Sequence, residues 1–201
     1  TLSLEDWLSP CLDYLSGRPD VAAVTPLTLN YDGSNWDPYF LECARKSTEF
    51  AEAVDTAAPV EKFYDVPVIP AAAMVVRASA LLEVGPFDPV YGSYYEDYDL
   101  CHRFRSAGYR LGVYTGGSIR HYSGSATNSP QAERRRARWI ARNRLIYRVR
   151  VSESRVRTLA RYFVTEFPRG FVRSLLRRPK SKPMGAYLLA HWDILRLLPL
   201  L

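Results

Sequence analysis

The spacing of hydrophobic positions changes several times along the chain, and each change marks an element. Leu4, Trp7, Leu8, Cys11, Leu12 and Leu15 repeat at helical spacing, behind Ser3 as N-cap and with Glu5 and Asp6 in the first turn. Pro10 is expected to kink this helix on its solvent side, and Gly17 and Pro19 to close it. Residues 21–24 read as a short buried strand, and residues 31–34 as a turn. Residues 35–65 lack a clean period and read as a long, partly helical loop. Residues 66–77 are apolar and β-rich, which predicts a core strand. A short helix over 78–84 should end at Gly85-Pro86, before a turn-rich aromatic loop over 87–95. Residues 96–107 predict a helix with acids in its first turn and Gly108 at its C-cap. Strands over 109–115 and 118–121 follow, then a helix from Gln131 to about Arg150.

The remainder predicts two or three further helices. Val156, Leu159, Phe163, Phe167 and Phe171 make an apolar stripe, with Arg157, Arg161, Arg169, Arg173 and Arg177 on the opposite face. Pro168 should open a new helix. Met184, Leu188, His191, Leu195 and Leu198 predict a last amphipathic helix. No internal repeat is present.

Composition narrows the class. The 201 residues are 47% hydrophobic, enough for one sizeable core plus an appendage and too apolar for a disordered chain. Gly 11 and Pro 14 exclude collagen-like and low-complexity sequence. The longest uncharged apolar stretch, residues 66–76, holds two prolines and is too short to span a bilayer. The acidic N-terminus is not expected to be a signal peptide. Cys11, Cys43 and Cys101 are odd in number and widely spaced, which predicts buried thiols in a reducing compartment rather than disulfides or zinc. The net charge of +6 is unevenly spread. Residues 1–133 carry 9 basic and 18 acidic side chains (−9), and residues 134–201 carry 18 and 3 (+15). An acidic body with a basic appendage that meets an anionic surface is expected.

The densest chemistry is Tyr94-Tyr95-Glu96-Asp97-Tyr98-Asp99. Acids at a helix start are stabilised by the macrodipole, and two suffice for that. A third carboxylate among three tyrosines equally suits a general base at a pocket mouth. His121 follows a strand and precedes a small polar loop, as a metal ligand, a phosphate contact or a hydrogen-bonded loop histidine would. Residues 134–150 interleave Arg with Trp and Tyr, but no nucleic-acid-binding motif accompanies them, so nucleic acid is disfavoured as a partner. There is no Gly-rich dinucleotide loop and no P-loop.

Taken in order, several segments carry a resemblance. These are Val84-Gly85-Pro86-Phe87-Asp88, the run from Tyr95 to Arg103 (YEDYDLCHR), Gly108-Tyr109, His121 and Arg142-Asn143-Arg144. Together with the first helix and strand and with Asp32-Gly33, they resemble the second half of a family 2 glycosyltransferase of the GT-A fold, closest to bacterial rhamnosyltransferase-like enzymes. The resemblance covers about residues 1–150, and residues 151–201 carry none. It implies an α/β fold: a GT-A-like mixed sheet flanked by helices, here the C-terminal acceptor-binding half, followed by a basic amphipathic helical tail. It also implies inverting transfer of a sugar from a nucleotide-sugar to a hydroxyl of a saccharide or lipid-linked acceptor, in cell-wall, O-antigen or exopolysaccharide synthesis. Asp97 would be the base and Glu96 would shape its electrostatics. Tyr94, Tyr95 and Arg103 would contact substrate, and His121 would be the protein ligand of Mg²⁺ or Mn²⁺. The family's nucleotide-binding half and its Asp-x-Asp motif come before the segment that starts here, so the chain is expected to be a fragment. A cytoplasmic place, peripheral to an anionic membrane face, is the expected location. The competing reading is a non-catalytic, basic membrane-surface or interaction module with an acceptor-like fold.

Overall fold

The computed structural model describes residues 6–56, 62–122, 129–176 and 184–197. The chain packs as two units. One takes in the described residues up to 89 together with 96–122. The other takes in Val90–Tyr95 and the described residues from 129 onward.

The first unit is built on a four-stranded mixed sheet in the order β2-β4-β1-β3. Its strands are β1 (Val21–Asn30), β2 (Phe63–Asp65), β3 (Val75–Val76) and β4 (Arg110–His121). β1 and β4 run parallel, and β2 and β3 add antiparallel to the outer edges. Helices α1 (Leu8–Ser16), α2 (Pro38–Ala44), α3 (Thr48–Thr56), α4 (Ala78–Val84) and α5 (Glu96–Ser106) flank it. This is the mixed α/β sheet with helices that the sequence predicts.

Ser3 lies outside the described residues. α1 instead starts with the Asp6 carboxylate accepting the Ser9 backbone N–H at 3.0 Å. Pro10 is the third residue of α1, where its missing N–H is not needed, so it starts the helix rather than kinking it. Cys11 and Leu15 are buried, whereas Leu8 and Leu12 of the predicted stripe are exposed. β1 runs well past residue 24, because the parallel pairing with β4 continues to Asn30↔His121. Its Pro26 is tolerated at a register shift, where three extra residues of β4, Thr115 to Gly117, are accommodated. The two strands expected over 109–121 are therefore one irregular strand.

Residues 66–77 contain only the two-residue β3 and a 3-10 turn at Ala71–Ala73. Pro67 and Pro70 each lack a ladder donor, so the segment cannot be a central strand. It is buried nonetheless, with Val66, Val68 and Ile69 in the main core. The aperiodic stretch 35–65 hides two helices. Asp37 caps α2 by accepting from Tyr39 and Phe40 N–H, with Pro38 at its first position. Phe40 and Phe50 pack edge to face, 6.0 Å between centroids. The three cysteines are free and buried, as expected.

The second unit contains α6 (Pro130–Arg150), α7 (Arg155–Arg161), a π-helical turn Tyr162–Glu166, α8 (Phe167–Leu176) and α9 (Met184–Leu197). α6 packs on α9 around Leu145, Val149 and Ile194, with Leu159, Tyr162 and Phe163 against them. α8 begins at Phe167, one residue before Pro168 and directly after the π-helical turn, so Pro168 lies in its first turn, where no N–H donor is needed, rather than at its first position. Val156, a member of the predicted stripe, is 78% exposed. In α9 the buried face is Ala190, His191 and Ile194, whereas Leu188 and Leu195 are exposed.

Candidate active site

α5 begins directly after a loop whose last two residues, Tyr94 and Tyr95, have φ of 69° and 74°. That left-handed backbone is unfavourable for aromatic residues and must be held by its surroundings. α6 supplies the hold within the second unit. Asn143, fully buried, donates from Nδ2 to the carbonyls of Tyr91, Ser93 and Tyr94 at 2.9, 2.8 and 2.6 Å. Arg142 donates to Val90 and Tyr91 carbonyls, both at 2.8 Å, and to Asn143 Oδ1. The Arg136 guanidinium lies 5.7 Å over the Tyr94 ring, and Tyr95 packs against Tyr147. Arg142 and Asn143 entered the sequence reading only as a matching motif. Here they are the clamp that fixes the aromatic loop.

In the first unit Asp97 is 4% exposed. Burial holds its carboxyl above the ordinary Asp range, against hydrogen bonds that pull it down. Tyr39 Oη donates to both carboxylate oxygens, at 3.0 and 2.8 Å, and the Tyr98 N–H adds a bond at 2.9 Å. Tyr39 was missed in the sequence because it stands 58 residues away in an aperiodic stretch. The Asp37-Pro38 cap signal was the available clue, since it starts the helix that carries Tyr39. Tyr98 Oη in turn receives a bond from Lys46 Nζ at 2.6 Å. Burial likewise raises the Glu96 carboxyl, with the Asp97 charge adding to it, and Glu96 Oε2 is buried without a hydrogen-bond partner.

Asp99 is also buried but plays another part. Its Oδ2 accepts from Arg103 Nε at 2.8 Å. Arg103 then donates to the carbonyls of Val84, Gly85 and Pro86 at 2.7, 2.7 and 2.9 Å. The guanidinium proposed from the sequence to contact substrate is committed to tying the Val84-Gly85-Pro86 loop to α5.

His121 ends β4. Thr28 is paired with Ile119 and Asn30 with His121, so Thr28 and His121 share one face of the sheet, at the C-terminal ends of the parallel pair. Open α/β sheets bind ligands at those ends. Thr28 Oγ1 and His121 Nδ1 are both buried without partners. An unpaired imidazole nitrogen fits one ligand bond to Mg²⁺ or Mn²⁺. Among the described residues no group of three His, Cys, Asp or Glu side chains could hold a metal alone, so any ion would need its remaining ligands from a bound substrate.

The fold is an α/β sheet flanked by helices, with a buried carboxylate, Asp97, at the start of α5. The sequence model of Glycosyl transferase family group 2 matches residues 1–200, and the chain belongs to that family, as a glycosyltransferase. The match extends through the basic helices, beyond the residues 1–150 whose motifs carry the resemblance. No curated protein matches the chain. Among the described residues no helix is long and apolar enough to cross a membrane.

Proposed function

We propose that the protein transfers a sugar with inversion from a nucleotide-sugar to a hydroxyl of a saccharide or lipid-linked acceptor, with Asp97 as general base. The buried carboxylate of Asp97, held by Tyr39 and raised in proton affinity by burial, carries this reading. In the step, the acceptor oxygen forms a bond to the anomeric carbon as the bond to the nucleoside diphosphate breaks. The acceptor proton passes to Asp97. A carboxylate with raised affinity takes that proton more readily than an ordinary aspartate. Burial, with the Asp97 charge adding to it, raises the proton affinity of Glu96, so Glu96 would shape the electrostatics around the base. Tyr94 and Tyr95 would contact the acceptor sugar through ring surface left outside their contacts with Arg136 and Tyr147, and Arg103 ties the Val84-Gly85-Pro86 loop to α5. His121 would hold Mg²⁺ or Mn²⁺ together with the donor's diphosphate, and the ion would neutralise charge on the leaving group.

Three variants of the native gene product, assayed by transfer from nucleotide-sugars, test the assignment. Asp97→Asn should lower kcat by about two to four orders of magnitude with donor KM little changed. Asp99→Asn should cost stability rather than chemistry, because its partner is Arg103. His121→Ala should raise the donor KM and the divalent-ion requirement together. Near-normal turnover in Asp97→Asn would overturn the base assignment. Full activity in all three would reduce the acid cluster to a helix-start device.

A further inference from the structure

The second unit contains a cleft of about 580 Å³ between α6 and α9. Four guanidiniums line it, from Arg134, Arg135, Arg138 and Arg142, with Trp139, Leu189 and one carboxylate, Asp193. Asp193 is spent on Arg138, which it grips through two bonds of 2.6 Å. Arg142 is spent on the loop carbonyls. Arg134 and Arg135 have no carboxylate partner among the described residues, and Arg135 lies 5.6 Å over the Trp139 ring. Arg134, Arg135 and Arg138 stand within five residues of one another on α6. Repulsion among them would be relieved by an anion in the cleft.

α9 shows an unusual outward face beside this cleft. Leu188, Trp192 and Leu195, spaced i, i+4 and i+7, are 45%, 56% and 49% exposed. Leu189, 47% exposed, borders both that face and the cleft. Arg196 lies 5.4 Å over the Trp192 ring. Apolar side chains with a tryptophan on one face and arginines at its margin match the pattern of a helix lying in a membrane interface.

We infer that the α6–α9 cleft binds the phosphate of an anionic lipid head group, with Arg134 and Arg135 as its free cations, while Leu188, Leu189, Trp192 and Leu195 enter the upper acyl region. A soluble anion would have no use for the apolar ridge, and a nucleic acid would leave it exposed; a lipid surface satisfies both halves of the feature. The inference goes beyond the transfer reaction and does not depend on the role of Asp97, because its readout is vesicle binding and not turnover.

The test is co-sedimentation of the full chain with vesicles of phosphatidylcholine alone and of equimolar phosphatidylcholine and phosphatidylglycerol. The chain should bind only the anionic vesicles. R134Q/R135Q, which keeps a good helix former at exposed positions, should weaken that partition by about twenty-five-fold, at roughly fivefold per basic residue. R157Q/R161Q removes the same charge from exposed positions of α7 and should weaken it several-fold less. Trp192→Ser should weaken binding and reduce quenching of the chain's fluorescence by brominated lipid. Inorganic phosphate at matched phosphate concentration should not displace the chain. Failure to bind anionic vesicles, or equal losses in the two arginine pairs, would overturn the inference. So would displacement by inorganic phosphate, or tighter binding to single-stranded RNA that R134Q/R135Q abolishes.

Discussion

Asp97 and Tyr39 together set the pH behaviour of the proposed reaction. Burial raises the carboxyl's proton affinity, and the two contacts from Tyr39 Oη oppose that rise by favouring the ionised form. Tyr39→Phe removes a donor that stabilises only the charged carboxylate. The Asp97 pKa should therefore move further up, and the acid limb of the kcat/KM profile should shift to higher pH. The plateau should fall by no more than about a hundredfold, the usual effect of a mispositioned catalytic group. A purely structural role for Tyr39 predicts lost stability with the acid limb in place. Measuring kcat/KM across the acid range, with thermal unfolding alongside, separates the two.

The elements differ in how far they could be read in advance, and the reason is which interactions define them. α4 and α5 carry their own punctuation: Gly85 and Gly108, at φ of 85° and 89°, follow them where the sequence expects helix ends. α2 and α3 are short, and their aromatics Phe40 and Phe50 are defined by each other and by Tyr64 rather than by a period. Tertiary packing of that kind is silent in one sequence. Among the described residues the α9 stripe held only at His191 for a related reason, since packing buries Ala190 and Ile194 and leaves Leu188 and Leu195 exposed. For the candidate site, the acid cluster and His121 stand out in the sequence by residue type alone. The Tyr39 contact and the Asn143 clamp depend on chain segments about 50 residues apart or more. The close approach of β2 to β4 was equally hidden. A Cβ at Gly112 would stand 2.0 Å from the Phe63 ring, which is stacked on Tyr14 at 4.4 Å. Gly112→Ala should therefore displace β2 and cost about 1–3 kcal/mol. Gly185→Ala on α9, with open space around the new methyl, should be neutral or stabilise by up to about 1 kcal/mol. Chemical denaturation of both variants checks the contrast.

Across the whole molecule, the two units bury ionisable groups of opposite kind, so acid should move their stabilities in opposite directions. In the first unit Asp97 and Glu96 have proton affinities raised by burial. In the range just above the ordinary carboxylate values the folded state binds more protons than the unfolded chain. Unfolding free energy contributed by these groups therefore rises as the pH falls through their folded pKa values, and is lost as the pH rises. In the second unit His191 is 5% exposed, donates from Nδ1 to the Tyr187 carbonyl and accepts from Tyr162 Oη at Nε2, both at 2.5 Å. Burial lowers its pKa, so below about pH 6.5 the unfolded chain takes up a proton that the folded unit refuses, and stability falls with pH. Glu166, pulled below its usual range by two bonds to Arg148, adds a loss in the same direction at lower pH. As the pH falls below neutral, protection of amides relative to their intrinsic exchange rates should rise in β1 and α5 and fall in α6 and α9. His191→Gln should remove the pH dependence from α6 and α9 alone. A uniform change in protection across both sets of amides would mean that the buried groups do not govern the response.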